Sequence, residues 1–356
     1  MGNQIRSIGR IIRQCCQPRY LIGGGIMLCC AVLPFLLDRS AEPARRGRTF
    51  PMMGTVGNIT IFSDEEALAE KSLDQAQKII REIEAVCNIF DPESELSRLN
   101  RTAYEKEFIC SPLLWEMLCA ADHYWRFSGG AYDPTVSALM KLWGFRRKRQ
   151  TLPTEAERAE AMKKTGWDKV ILDREKHSVR FAVEGIAIDF GGIAKGFALE
   201  KVLAALRENG IRYAVIDLGG NLGVLSDKEK PRYYRIGIRD PETPDRQIHV
   251  FATAENCIAT SGNYERYVVI DGKQYTHIMD PRTGLPVSGM LSVTVVTPRG
   301  TDSDALSTAI FVGGEKLAEK VCRDLPGTEV VMIRRDPDSP EGRRILRFGR
   351  PDRDRQ

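Results

Sequence analysis

The chain has few histidines, four in 356 residues. None of its nine cysteines, which beyond residue 50 are Cys87, Cys110, Cys119, Cys257 and Cys322, stands at the C-x-x-C spacing of zinc and redox sites. That excludes the common zinc modules and C-x-x-C redox centres, and free thiols packed among apolar residues are expected instead. No repeat recurs at a solenoid period, which excludes stacked-repeat architectures. A strong charge of one sign is also missing from the body of the chain. The formal net charge is +4, but residues 1–50 carry eight Lys/Arg against two acids, and the remainder carries 44 basic against 46 acidic side chains. A near-neutral body argues against a nucleic-acid surface.

What is present is the composition of an ordinary globular protein, 42% hydrophobic and 28% charged. The basic N-terminus has the layout of a targeting segment. Arg6, Arg10, Arg13 and Arg19 precede an uncharged run from Tyr20 to Leu37. Eighteen residues is short for a span yet longer than most signal-peptide cores, and no small-x-small cleavage site or lipoprotein cysteine follows. The expectation is an uncleaved signal anchor within 1–48, a folded domain over 49–335, and a charged, mobile tail over 336–356. Arginines on both sides of the run leave its orientation open.

Along the domain, TVGNITIF (55–62) alternates like a half-buried strand, and Ser63 with Glu66 reads as a capping box before a long helix. Ser111-Pro112 opens a second helix. AIDF (187–190) reads as a strand feeding a helix from Gly192 to Asn209. Strands are expected near 213–218, 234–238, 248–251, 257–260, 267–270 and 291–296. A helix over DALSTAIFV then leads to Gly313-Gly314, a further helix and a final strand. Helices and strands mix without strict βαβ alternation, so the class is α+β.

Four stretches carry oxygen ligands and turn glycines. AIDFGGIAKG (187–196) places an acid and a base around a glycine turn at a helix start, where anions bind. Its spacing fits neither the Walker loop nor the dinucleotide fingerprint, so a plain strand-to-helix turn stays open. Asp304 and Thr308 stand one helical turn apart and share a face, as hard-cation ligands or as a first-turn acid and a back-bonded threonine. His277, ahead of DPRTG, is a general base or a structural histidine. GAYDPTV (130–136) is a turn or a ligand contact.

Taken in order, MMGT (52–55), FDPESELSRLN (90–100), GAYDPTVSALMKLWGF (130–145), AIDFGGIAKGF (187–197), DLGGN (217–221), ATSGNYER (259–266), HIMDPRTGLPV (277–287) and SDALSTAIF (303–311) resemble the ApbE family of FAD:protein FMN transferases. The resemblance implies a single T-fold-like catalytic domain of mixed sheets and helices. It also implies an enzyme that cleaves FAD with Mg²⁺, joins FMN through a phosphoester to a threonine of an acceptor protein, and releases AMP. In this sequence it places Gly192, Asp304 and Thr308 on the metal. Met53, Phe90, Ala131, Tyr132, Asp133, Asp189, Lys195 and Ile278 are placed on the flavin nucleotide, and His277 as the base. Phe90 stands where many relatives have tyrosine. The implied acceptors are extracytoplasmic subunits of Na⁺-translocating quinone reductase or Rnf-type complexes, reached from an inner-membrane anchor on the periplasmic side. Two alternatives keep the same site: a Mg²⁺-dependent FAD pyrophosphatase, and a tethered flavin-binding protein without activity.

Overall fold

The structure, a computed structural model, describes residues 43–146, 149–243 and 245–349, together with the backbone of Leu33–Pro34. Apart from that pair, the span expected at 20–37 lies outside the described residues. Among these, no helix is long and apolar enough to cross a membrane.

The first hairpin pairs β1 (Arg45–Met52) with β2 (Thr55–Phe62) through the two-residue turn Met53-Gly54. Both turn residues have positive φ, 43° and 71°, which matches the right-handed twist of the flanking strands. There follow α1 (Glu66–Cys87), α2 (Glu95–Thr102), β3 (Phe108–Ile109), α3 (Pro112–Phe127), α4 (Ser137–Leu142), α5 (Glu155–Lys163), β4 (Val170–Asp173), β5 (Ser178–Phe181) and α6 (Ala194–Glu208). The second half comprises β6 (Tyr213–Leu218), β7 (Asn221–Leu225), β8 (Tyr234–Arg239), β9 (Gln247–Thr253), β10 (Cys257–Gly262), β11 (Tyr267–Ile270), β12 (Lys273–Thr276), β13 (Met279–Asp280), β14 (Leu285–Pro286), β15 (Met290–Thr297), α7 (Gly300–Asp324), β16 (Glu329–Arg335) and β17 (Arg343–Phe348).

Eight strands form one antiparallel sheet in the order β17–β16–β15–β10–β7–β6–β2–β1. On one face Ile59, Ile216, Val293 and Met332 pack against Ile80 of α1, Leu118 of α3, Val202 of α6 and Ile310 of α7 in the main core. On the other face Val224, Ile258 and Val331 pack under Tyr234, Ile236 and Phe251 of the β8–β9 hairpin. Because both faces are covered, β15 is buried at every residue after Met290 (burial iBBBBBBB) rather than at alternate ones. A third cluster of Leu139, Trp143, Ile270 and Met279 fixes the β11–β12 hairpin beside α4. The α+β expectation is met.

Side-chain caps start three of the seven α-helices among the described residues, α2, α3 and α5. Ser111 accepts from Leu114 N, with Pro112 at the first position. Thr154 and Glu157 form a reciprocal capping box. The box expected from Ser63 and Glu66 does not form: α1 starts after Glu65, and Ser63 Oγ instead accepts from Glu65 N in a local turn. Gly314, with φ 69° and ψ −159°, breaks α7 in two where the paired glycines were expected to. Two further corrections concern order. AIDF is not a strand. Its backbone is held by a side chain, since Asn100 Nδ2 donates to Ile188 O (2.9 Å) and Asn100 Oδ1 accepts from Ile188 N (2.8 Å). The stretch expected as a mobile tail from 336 is ordered to 349 and returns as edge strand β17. Leu346 and Phe348 pack on the main core, and buried Arg343 forms a two-pronged ion pair with Asp240. All five cysteines of the domain are free thiols, as expected.

Candidate active site

The first turns of α7 present Asp304 and Thr308 on one face. Asp304 is 4% exposed, and its Oδ2 accepts from the backbone N of Gly196 (2.8 Å) in the first turn of α6. That contact exists because α6 and α7 cross at two glycines. A Cβ on Gly196 would meet Gly300 O at 2.2 Å, and one on Gly300 would meet Gly196 O at 2.5 Å. Asp304 Oδ1 lies 3.7 Å from Lys195 Nζ. Ser261 Oγ stands 3.3 Å from Thr308 Oγ1 and 2.9 Å from Ser307 Oγ, a row of hydroxyls along the same wall. Gly192 closes the opposite side: a Cβ there would sit 3.2 Å from Thr308 Oγ1 and 3.4 Å from Tyr132 Cε2. The three expected metal residues therefore converge, with Lys195 beside them. Among the described residues no three His, Cys, Asp or Glu side chains gather in metal-binding range. The donor set is one carboxylate, hydroxyls and backbone oxygen, which suits a hard cation that keeps waters or phosphate oxygens in its shell.

His277 follows β12 directly, and its ring Nδ1 lies 3.0 Å from Arg266 O. A carbonyl only accepts, so Nδ1 carries the proton and Nε2 is left with its lone pair. The Arg266 side chain reaches the β1–β2 turn, where a Cβ on Gly54 would meet its Nη2 at 3.8 Å. Burial first, and then the cationic Arg266 and Lys195, lower the His277 pKa to about 4, against a partial offset from the Arg266 carbonyl. The imidazole is thus neutral at pH 7. Lys195 acts electrostatically on His277 and pairs with Asp304, so base and metal residues share one crevice. A depressed pKa has a stability consequence. Between about 4 and the unfolded value near 6.5 the unfolded chain binds more protons, so stability falls as the pH drops through that window. In His277→Gln the loss between pH 7 and pH 4.5, read from urea midpoints, is expected to be smaller than in the parent. Equal losses would remove this histidine from the acid response.

A cavity of about 920 Å³ has walls that include Phe90, Asn100, Arg101, Lys141, Arg146 and Ile188. Phe90 is 75% exposed and lies under the Arg146 guanidinium, whose Cζ is 5.5 Å from the ring centroid. Arg146 Nη2 also pairs with Asp189 Oδ2 at 2.8 Å. Asp189 Oδ1 accepts from Gly191 N (2.9 Å), so the acid fixes the glycine turn and Arg146 ties that turn to the cavity wall. Cations around an accessible aromatic ring suit a ligand that is both anionic and flat. Met53, in the β1–β2 turn, has its N–H held by Glu84 Oε1 at 2.7 Å.

Not every expected contact faces this space. Asp133 accepts from Thr135 N, Thr135 Oγ1 and Trp167 N, so its carboxylate ties a turn together. Ala131 is buried, and the carbonyl of Ile278 is engaged by Val287 N. Sequence reasoning missed Arg146, Asn100, Glu84 and Ser307. Ser307 has a signal, since it precedes Thr308 in a run of hydroxyl residues. The other three act across long sequence separations and leave no local pattern.

The sequence profile of the ApbE family matches residues 53–332, which include every site residue described above. The chain belongs to the ApbE family. The FAD:protein FMN transferase of Treponema pallidum is 31% identical over 325 residues, covering 87% of this chain and 90% of the relative. That of Chlamydia trachomatis is 32% identical, covering 80% and 89%. The ApbE protein crystal structure from Thermotoga maritima superposes with a TM-score of 0.75 at 30% identity, over 86% of this chain and all of the other. The ApbE match begins at Met53 and ends within β16, so both the β1–β2 turn and the sheet that carries α7 belong to it.

Proposed function

We propose that this ApbE-family chain is a FAD:protein FMN transferase, using a bound Mg²⁺ and a threonine of a partner protein as acceptor. The threonine oxygen attacks the FMN phosphorus of FAD, the bond from that phosphorus to the AMP oxygen breaks, and AMP leaves. The threonine proton passes to Nε2 of His277. The cation, when bound, neutralises charge on the diphosphate at the point of cleavage. Asp304, Thr308 and the backbone of Gly192 would hold it, and Lys195 would meet a phosphate oxygen. Arg146 and Phe90 line the space for the flat, anionic remainder of FAD. Bringing a diphosphate against His277 raises the pKa of its imidazole toward neutrality, which improves it as an acceptor for the proton.

The single observation that carries this reading is the shared crevice, in which Lys195 links the Asp304–Thr308 wall to a histidine with one nitrogen pinned and the other free. The names of the relatives support the activity. The uncharged run at 20–37 supports a membrane-anchored enzyme, and the family resemblance implies work on the extracytoplasmic side with an acceptor in a Na⁺-translocating quinone reductase or Rnf-type complex. The protein incubated with FAD, Mg²⁺ and a threonine-bearing acceptor subunit is expected to add FMN to that subunit by intact mass. FMN and AMP released with no adduct would instead mark a pyrophosphatase. Unchanged FAD would mark a binding protein.

A further inference from the structure

Tyr132 is 2% exposed, and its hydroxyl is buried without a hydrogen-bond partner. Leaving such a group unpaired costs about 1–3 kcal/mol. A tyrosine with only a packing role would have found a protein partner, or phenylalanine would serve. The position of the ring says where the missing partner belongs. Its Cε2, beside the hydroxyl-bearing carbon, faces Gly192 at 3.4 Å from a Cβ built there, next to Thr308. Tyr124 packs against it edge-on at 6.4 Å between centroids and directs its own hydroxyl to Asp302. The nearby acids are otherwise engaged: Asp304 Oδ2 by Gly196 N, Asp133 by Thr135 and Trp167, and Asp189 by Gly191 N and Arg146. A phenol is protonated at pH 7, so the hydroxyl is a neutral donor and acceptor.

A neutral hydroxyl facing acids, beside a set of hard oxygen donors, complements a hydrated cation better than an anion. We propose that Tyr132 is an outer-shell residue of the cation site, its hydroxyl bonded to a water that the Mg²⁺ ion retains. This rests on the cation reading above. Mg²⁺ gives up water reluctantly, and groups that hold its remaining waters contribute about 10–100-fold in affinity.

Two measurements on Tyr132→Phe test this, neither of which requires turnover. Mg²⁺ alone, titrated by calorimetry, is expected to bind the variant about tenfold more weakly than the parent. The thermal midpoint of the metal-free variant is expected to equal or exceed that of the parent, because an unpaired buried hydroxyl has been removed. An unchanged Mg²⁺ affinity, or a lower midpoint with unchanged affinity, would overturn the assignment and leave the cation site standing. If the parent itself takes up no Mg²⁺, the cation reading falls and this inference falls with it.

Discussion

Asp304→Asn is expected to lower FMN transfer by about 10³-fold or more while the protein stays folded. The argument separates two jobs of one side chain. Asp304 Oδ2 accepts the N–H of Gly196 at 2.8 Å, a bond that an amide oxygen reproduces. Its negative charge balances Lys195 at 3.7 Å and would attract the cation, and an amide supplies neither. A cation at the transferred phosphoryl group contributes several kcal/mol, and about 4 kcal/mol corresponds to roughly 10³ in rate. Asp304→Ala is the poorer test, because it also strands a buried N–H at a cost of about 1–3 kcal/mol. The measurement is the single-turnover rate of acceptor flavinylation alongside a thermal melt. A variant that transfers at the parent rate would show that this carboxylate holds no catalytic cation. A large drop in melting temperature would show instead that the charge supports the fold. Thr308→Val, which keeps shape and removes one neutral ligand, is expected to lose less.

The parts of this architecture that were legible from the residues obey local rules. Ser111-Pro112 starts a helix because capping geometry is decided within four residues. Asp304 and Thr308 share a face because helical periodicity puts them there, whatever the surrounding fold. Gly313-Gly314 marks a break because φ near +69° is open to glycine at little cost. The misread parts depend on partners distant in sequence. AIDF alternates like a strand, yet its pairing groups are the amide of Asn100, 88 residues away. β17 was hidden because half of it is arginine and the stretch around it is rich in charge and proline, and only pairing with β16 shows that Ile345, Leu346 and Phe348 have apolar surface to cover. Arg146 lies in the basic run GFRRKRQ (144–150). Nothing in its spacing singles out Arg146 as the residue that meets both Asp189 and Phe90. The resemblance to ApbE proteins located the site, and long-range contacts decided what each residue there can do. Asp133 is the clearest instance, matched by motif and engaged by Thr135 and Trp167.

Gly196→Ala is expected to destabilise the protein by roughly 3 kcal/mol or more, against the sign of intrinsic propensity. Within an exposed helix, replacing glycine by alanine stabilises by about 1 kcal/mol. Here the new methyl would stand 2.2 Å from Gly300 O and 2.5 Å from Asp304 Cβ. Neither is the end of a flexible side chain, so α6 and α7 must separate. Overpacking a core contact costs about 1–3 kcal/mol where side chains can yield, and a backbone-to-backbone clash takes this case to the upper end or beyond. Separation also breaks the Gly196–Asp304 bond, so the active site loosens with the fold, and transfer is expected to fall further than the population of folded protein alone accounts for. Gly314→Ala is the internal comparison. Its added methyl meets nothing within 4 Å, so only the unfavourable backbone angle counts, about 1–3 kcal/mol, and the Asp304 contact is untouched. Urea midpoints of the two variants, with transfer assayed on the folded fraction, distinguish the cases. A Gly196→Ala protein as stable as the parent would mean that the helices do not cross this closely, and the placement of Asp304 at the start of α6 would then be wrong.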